Sequence, residues 1–156
     1  MKKFSSIFAL AAVVTVALPF ALSAADSSKQ FAIGNGIAVA GYDVISYFPE
    51  GGGKPTKGSF KITSEHQGLT YRFASEKNKT AFVKNPGQYV PAYGGWCAYA
   101  LAALDANVDI DPLSYEIRDG RLYLFYRDNE LDTRALWRKS PSEFITKANA
   151  NWKGSH

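Results

Sequence analysis

The sequence predicts an α+β fold: a small antiparallel sheet built from two β-hairpins, with helices packed against it in a single domain. Two segments alternate apolar and polar residues on either side of turn residues, as hairpins do. Three others read as helices from their flanking caps and composition. Hairpins and helices do not alternate as strand–helix–strand units, which argues against a parallel sheet.

The elements follow in chain order. Met1-Lys2-Lys3, an apolar run from Ile7 to Phe20 and the small residues Ala21 to Ala25 form a secretory signal pattern. The run is too short to span a bilayer, which needs about 20 apolar residues. Ser23 and Ala25 suit a cleavage site, so residues 1–25 are expected to be removed after Ala25. Export then places the protein in the periplasm or outside the cell. A lipoprotein would need a cysteine at the new N-terminus, and the one cysteine is Cys97. Residues 26–35 read as a polar leader and 36–156 as the domain.

The stretch from Phe31 to Phe48 is broken by Gly34, Gly36 and Gly41, which suits extended segments and turns. A glycine-rich loop runs over 49–58. Phe60 and Ile62 alternate with polar neighbours, then Glu65-His66-Gln67-Gly68 reads as a turn. Leu69, Tyr71 and Phe73 alternate on the way back. Ser75 can cap a helix that Pro86 stops. An Ala- and Leu-rich helix over 97–104 follows Gly94-Gly95. Tyr115 and Ile117 open the second hairpin, and Asp119-Gly120 supplies the tight turn. Its return strand, 121–126, is apolar on both faces and is expected to be central in the sheet. Ser140-Pro141-Ser142-Glu143 reads as a capping box opening a helix towards Asn151.

Composition narrows the function classes. Loss of Lys2 and Lys3 lowers the formal charge of +4 by two, and no Lys/Arg cluster interleaves with aromatics, which argues against nucleic acid. A single cysteine excludes an internal disulfide, so packing must hold the domain together. An aromatic content of 14% supplies large buried areas for that. A monomer with no membrane span after cleavage is expected.

Three pieces together resemble the YHS domain family: residues 39–44 (Val-Ala-Gly-Tyr-Asp-Val) with Tyr47-Phe48, residues 68–75 (Gly-Leu-Thr-Tyr-Arg-Phe-Ala-Ser), and Pro86-Gly87-Gln88-Tyr89. Residues 119–124 and the Trp-containing tail are similar to an exported subgroup. In the metal-associated members, such as those attached to heavy-metal transport ATPases, the resemblance implies cysteines at three places. Here those places hold Ser46, Ala74 and Asn78. A soft metal needs converging thiolate or imidazole ligands, so the fold carries over and the metal site does not. The exported subgroup also has a Gly-Gly-aromatic-Cys-Ala motif, here residues 94–98, where selenocysteine is suspected at the position of Cys97.

Cys97 therefore has two readings. At the start of a helix, unpaired N–H groups and the dipole would favour a reactive thiolate. Alternatively it is a small buried hydrophobe between Trp96 and Tyr99. His66, read as a turn residue, is a lone imidazole and would matter only beside Cys97; these two are the weak metal candidates. The run Asp105-x-Asn107-x-Asp109-x-Asp111 with Glu116 imitates a calcium loop, but Ile110 stands where a sharp turn needs glycine, leaving a solvated acidic loop. The rings of Tyr42, Tyr47, Tyr89, Tyr93, Trp96 and Tyr99 form either a ligand pocket or a core with hydroxyls at its rim. Tyr42, Asp43, Tyr93, Trp96 and Tyr99 are the ligand-binding candidates. The expectation is an exported binding or accessory module for a small ligand or a metal-related process, without turnover and with no cofactor assigned. A thiol-dependent redox protein centred on Cys97 and a structural interaction domain are the alternatives.

Overall fold

The structure, a computed structural model, describes residues 33–34 and 36–152. The expected signal segment and all of the leader except Ile33–Gly34 lie outside the described residues.

Glycine and apolar residues start the described chain in two short antiparallel strands, β1 (Ile33–Gly34) and β2 (Ile37–Ala38). Left-handed backbone at Val39, Ala40 and Gly41 (φ 48°, 49° and 78°) then turns the chain sharply. A 3-10 turn over Val44–Tyr47 and a second over Pro49–Gly51 follow. The first hairpin pairs β3 (Ser59–His66) with β4 (Leu69–Phe73), and β4 buries Leu69, Tyr71 and Phe73 as their alternation requires. Its turn is only Gln67-Gly68, both left-handed, so His66 ends a strand instead of sitting in a four-residue turn. The second hairpin joins β5 (Asp111–Arg118) to β6 (Arg121–Phe125) through left-handed Asp119 and Gly120 (φ 51° and 73°).

The described residues form a single α+β domain with two β-hairpins, as expected, but the hairpins lie in separate sheets. The first belongs to a four-stranded sheet in the order β1-β2-β4-β3, in which β2 runs parallel to β4 through Ile37 and Thr70. The second stands as its own two-stranded sheet. Strand β6 is buried on both faces as its composition predicts, yet it is not central. It has β5 on one side and a single parallel bridge from Leu124 to Cys97 on the other.

Two apolar cores meet at β6. Leu122 and Leu124 pack with Val44, Ile45, Leu69, Tyr71, Phe73 and Phe82. Tyr123 and Phe125 pack with Tyr93, Leu101, Trp137 and Ala148. Each fully buried large side chain stabilises the fold by about 1.5–3 kcal/mol, and the period-2 alternation of β6 assigns successive residues to opposite sides.

Helices cover the cores. Ser75 caps α1 (Glu76–Lys84), its hydroxyl accepting from the Asn78 N–H at 3.1 Å, and Pro86 begins the single turn α2 (Pro86–Tyr89). Helix α3 (Ala98–Leu104) packs on α5 (Pro141–Asn151), with Asn151 donating to the Leu101 carbonyl. The capping box expected at α5 is not formed. Ser140 makes no side-chain cap, and Glu143 instead pairs with Lys147 one turn on. Helix α4 (Thr133–Trp137), capped by Asp132, has no counterpart in the sequence reading. Among the described residues no helix is long and apolar enough to cross a membrane.

Candidate functional site

Two buried polar posts frame the site. The first is Asp43, which has no solvent exposure. A carboxylate buried without partners would be strongly unfavourable, and here three N–H donors offset that cost. One oxygen accepts from the Ile45 N–H at 2.9 Å, capping the Val44–Tyr47 turn. The other accepts from the Ala74 N–H at 2.8 Å and the Asn78 side-chain amide at 2.7 Å. The Ser46 hydroxyl donates to the Asp43 carbonyl and accepts from the Thr56 N–H. Asp43 thus ties the turn to the end of β4 and to α1.

Ser46, Ala74 and Asn78, where the resemblance implies cysteines, meet around Asp43, with Ser46 lying 28 and 32 residues before the other two. Their chemistry does not fit a soft metal. Ser46 and Asn78 are committed to internal hydrogen bonds, and Ala74 contributes only its backbone. Among the described residues no three His, Cys, Asp or Glu side chains come together as a metal site.

The second post is Cys97, also fully buried. It caps α3, its sulfur accepting from the Ala100 N–H at 3.4 Å and lying 3.3 Å from the Thr133 hydroxyl. That hydroxyl donates to the Tyr126 carbonyl at 2.9 Å, so the thiol proton faces the Thr133 oxygen. The post fixes the first residue of α4 against α3. Thr133 and Trp137 fill the buried face of α4, and Arg134 and Arg138, likewise four residues apart, share the adjoining face.

Tyr47 from the turn that Asp43 caps and Arg134 and Arg138 from α4 line an open cleft of about 470 Å³, with Pro49, Gly53, Tyr115, Glu116 and Ile117. Tyr47 leaves the capped turn, donates to the Pro112 carbonyl at 3.0 Å and meets the Tyr115 ring edge-on at 5.0 Å. Burial, reinforced by the neighbouring Tyr42, holds the Tyr47 phenol far above its ordinary range, so it stays neutral. Glu116 accepts from Arg118 at 2.8 Å and from Arg138 at 2.9 Å. Burial pushes its carboxyl up, but the two guanidinium bonds outweigh this and hold it below the usual value. Arg134 donates to the Tyr115 carbonyl and to Asp132. Desolvation likewise opposes the charge on Asp132, and bonds from Ser114 and Arg134 prevail to keep it ionised.

The ligand-binding candidates taken from the sequence do not converge. Tyr42 packs beside the first core, under the Lys57 ammonium, and Tyr93 and Tyr99 belong to the second. Asp43 is sealed from solvent, and the Trp96 indole N–H is buried without a partner among the described residues. The hydroxyls of Tyr47, Tyr89 and Tyr93 reach Pro112, Glu50 and Asn149, which is a core with its polar tips at the rim. His66 sets its ring edge-on to Phe82 at 5.7 Å and beside Tyr71, a packed position instead of a solvated turn. In the acidic loop, Asp111 is held by Arg127, and Glu116 by its two arginines. Of the cleft residues, the sequence marks Tyr47 among the rings and Glu116 in the calcium-like run. Tyr115, Arg134 and Arg138 were missed; the Arg-x-x-x-Arg spacing after an Asp-Thr cap was the one signal available.

Comparison with protein-family models, with curated proteins and with solved structures gives no match to this chain.

Proposed function

We propose that this chain is an exported, non-catalytic binding module of the YHS type that holds a small organic molecule in the cleft between Tyr47 and Arg138. The cleft itself carries the reading: its volume lies within the range of small-molecule sites, and it sets aromatic and aliphatic walls beside two guanidinium groups. The gathering of Ser46, Ala74 and Asn78 around Asp43 supports the YHS resemblance, since it gives those distant positions one structural purpose. Full burial of Cys97 favours a packing role over redox chemistry.

The test is a fragment library screened against the protein by NMR. Binding reads out as shifts clustered on Tyr47, Tyr115, Ile117 and Arg138. Hits confined to other surfaces would defeat the reading. Export is checked separately: N-terminal sequencing of material from outside the cytoplasm should begin at Asp26, and a start at Met1 would contradict it.

A further inference from the structure

We propose that the cleft selects an organic monocarboxylate with a compact apolar body. This rests on the cleft being a binding site, and it follows from its charge and its walls. Arg134, Arg138 and Glu116 line the cleft, and Arg118 and Asp132 are bonded directly to these, so three guanidinium groups stand against two carboxylates. Both carboxylates are held ionised, so the local excess is one positive charge at neutral pH. The second ion pair near Tyr47, Asp111 with Arg127, is closed on itself and adds none.

Arg138 is where that excess is accessible. Its side chain is 55% exposed, and among the described residues only its Nε is engaged, on Glu116. The terminal Nη1 and Nη2 groups keep a free pair of parallel donors, the geometry that a carboxylate accepts bidentately. Arg134 is 26% exposed and already spends one donor on a carbonyl and one on Asp132, so it supports the field more than it competes for the ligand.

The neighbouring wall excludes other classes. Tyr47, Tyr115, Pro49 and Ile117 offer ring and aliphatic surface to the ligand body. The Tyr47 phenol is neutral, and its proton is spent on Pro112, which leaves it without a free donor. A phosphate dianion would bring two charges to a site with one in excess and would meet ionised Glu116 alongside. A cation would meet the guanidinium groups directly. A neutral amide has the same shape as the acid but lacks the charge that Arg138 rewards.

The experiment uses benzoate and isovalerate as probes, with benzamide, isovaleramide, benzylamine and inorganic phosphate beside them, each titrated into the protein and followed by NMR. Either acid should shift Tyr115, Ile117 and the Arg138 Nε signal, and bind about tenfold more tightly than its amide. Arg138→Gln gives up one of the two guanidinium bonds to Glu116, so its melting temperature should fall no further than that of Glu116→Gln, while the acid-over-amide preference disappears. An amide, benzylamine or phosphate that binds in the cleft as tightly as the acids would overturn the ligand class and leave the binding reading standing. An unchanged preference in Arg138→Gln would overturn the class too. No cleft shift with any probe, together with an empty fragment screen, would remove both.

Discussion

The sulfur of Cys97 lies 3.3 Å from the hydroxyl of Thr133, and that contact joins the start of α3 to the start of α4. The sulfur both caps a backbone N–H and points its proton at an oxygen, so both polar capacities are used. Cys97→Ala should cost about 1–3 kcal/mol, because it strands the Ala100 N–H and opens a void. Cys97→Ser keeps both bonding roles and should cost less than Ala. A maleimide should leave native protein unmodified at neutral pH and label it after denaturation. Denaturant melts of both variants check the order, and a Ser variant weaker than Ala would contradict it.

Asp43 is the more demanding post. Asp43→Ala leaves the Ile45 and Ala74 N–H groups and the Asn78 amide without an acceptor, at a cost of about 3 kcal/mol or more. Asp43→Asn keeps the shape but turns an N–H₂ towards donors, and should recover only part of the loss. Urea midpoints decide this; an Asn variant equal to the parent would show that the charge is dispensable.

Glu116 predicts an acid-sensitive ion pair. Its folded pKa is depressed, so its contribution is fully present above the unfolded value near 4.5 and is lost as pH falls through the lower folded value. Glu116→Gln should lower stability at pH 7 by about 1 kcal/mol, a modest figure because Arg118 and Arg138 are 37% and 55% exposed. The gap between parent and variant should narrow as the pH drops below that window. Melting curves at stepped pH measure it, and a gap that widens in acid would refute the sign.

Ala40 sits exposed in the left-handed region at φ 49° and ψ 30°, between Val39 and Gly41, which also have positive φ. An L side chain there is strained, whereas glycine is not. Ala40→Gly should therefore stabilise the protein by about 0.5–1 kcal/mol despite the greater freedom of glycine in the unfolded chain. A fall in melting temperature would show the turn to be relaxed.

What the sequence made legible was local. Asp119-Gly120 declared a hairpin, Ser75 and Pro86 bracketed α1, and alternation in 69–73 picked the buried face, because each signal lies within a few residues of its consequence. Helix α4 escaped notice because five residues are too few for a helical period to show, and its cap competes with the loop before it. The capping box at Ser140 misled because Glu143 has Lys147 one turn away. The cleft was beyond such reading: Tyr47, Glu116 and Arg138 are brought together by the Tyr47 bond to Pro112, the Tyr47–Tyr115 ring contact and the Arg138 bond to Glu116. All three are tertiary.

Strand β6 sends Leu122 and Leu124 to one side and Tyr123 and Phe125 to the other. Neither half of the molecule is expected to shed its packing while the other keeps its own, since the same four residues would have to be in and out of register at once. The two cores are therefore expected to open together, so that the amide hydrogens along β6 exchange with solvent only through global unfolding. A truncated chain ending before Arg121 would deprive both cores together, so no autonomous half survives a cut made there.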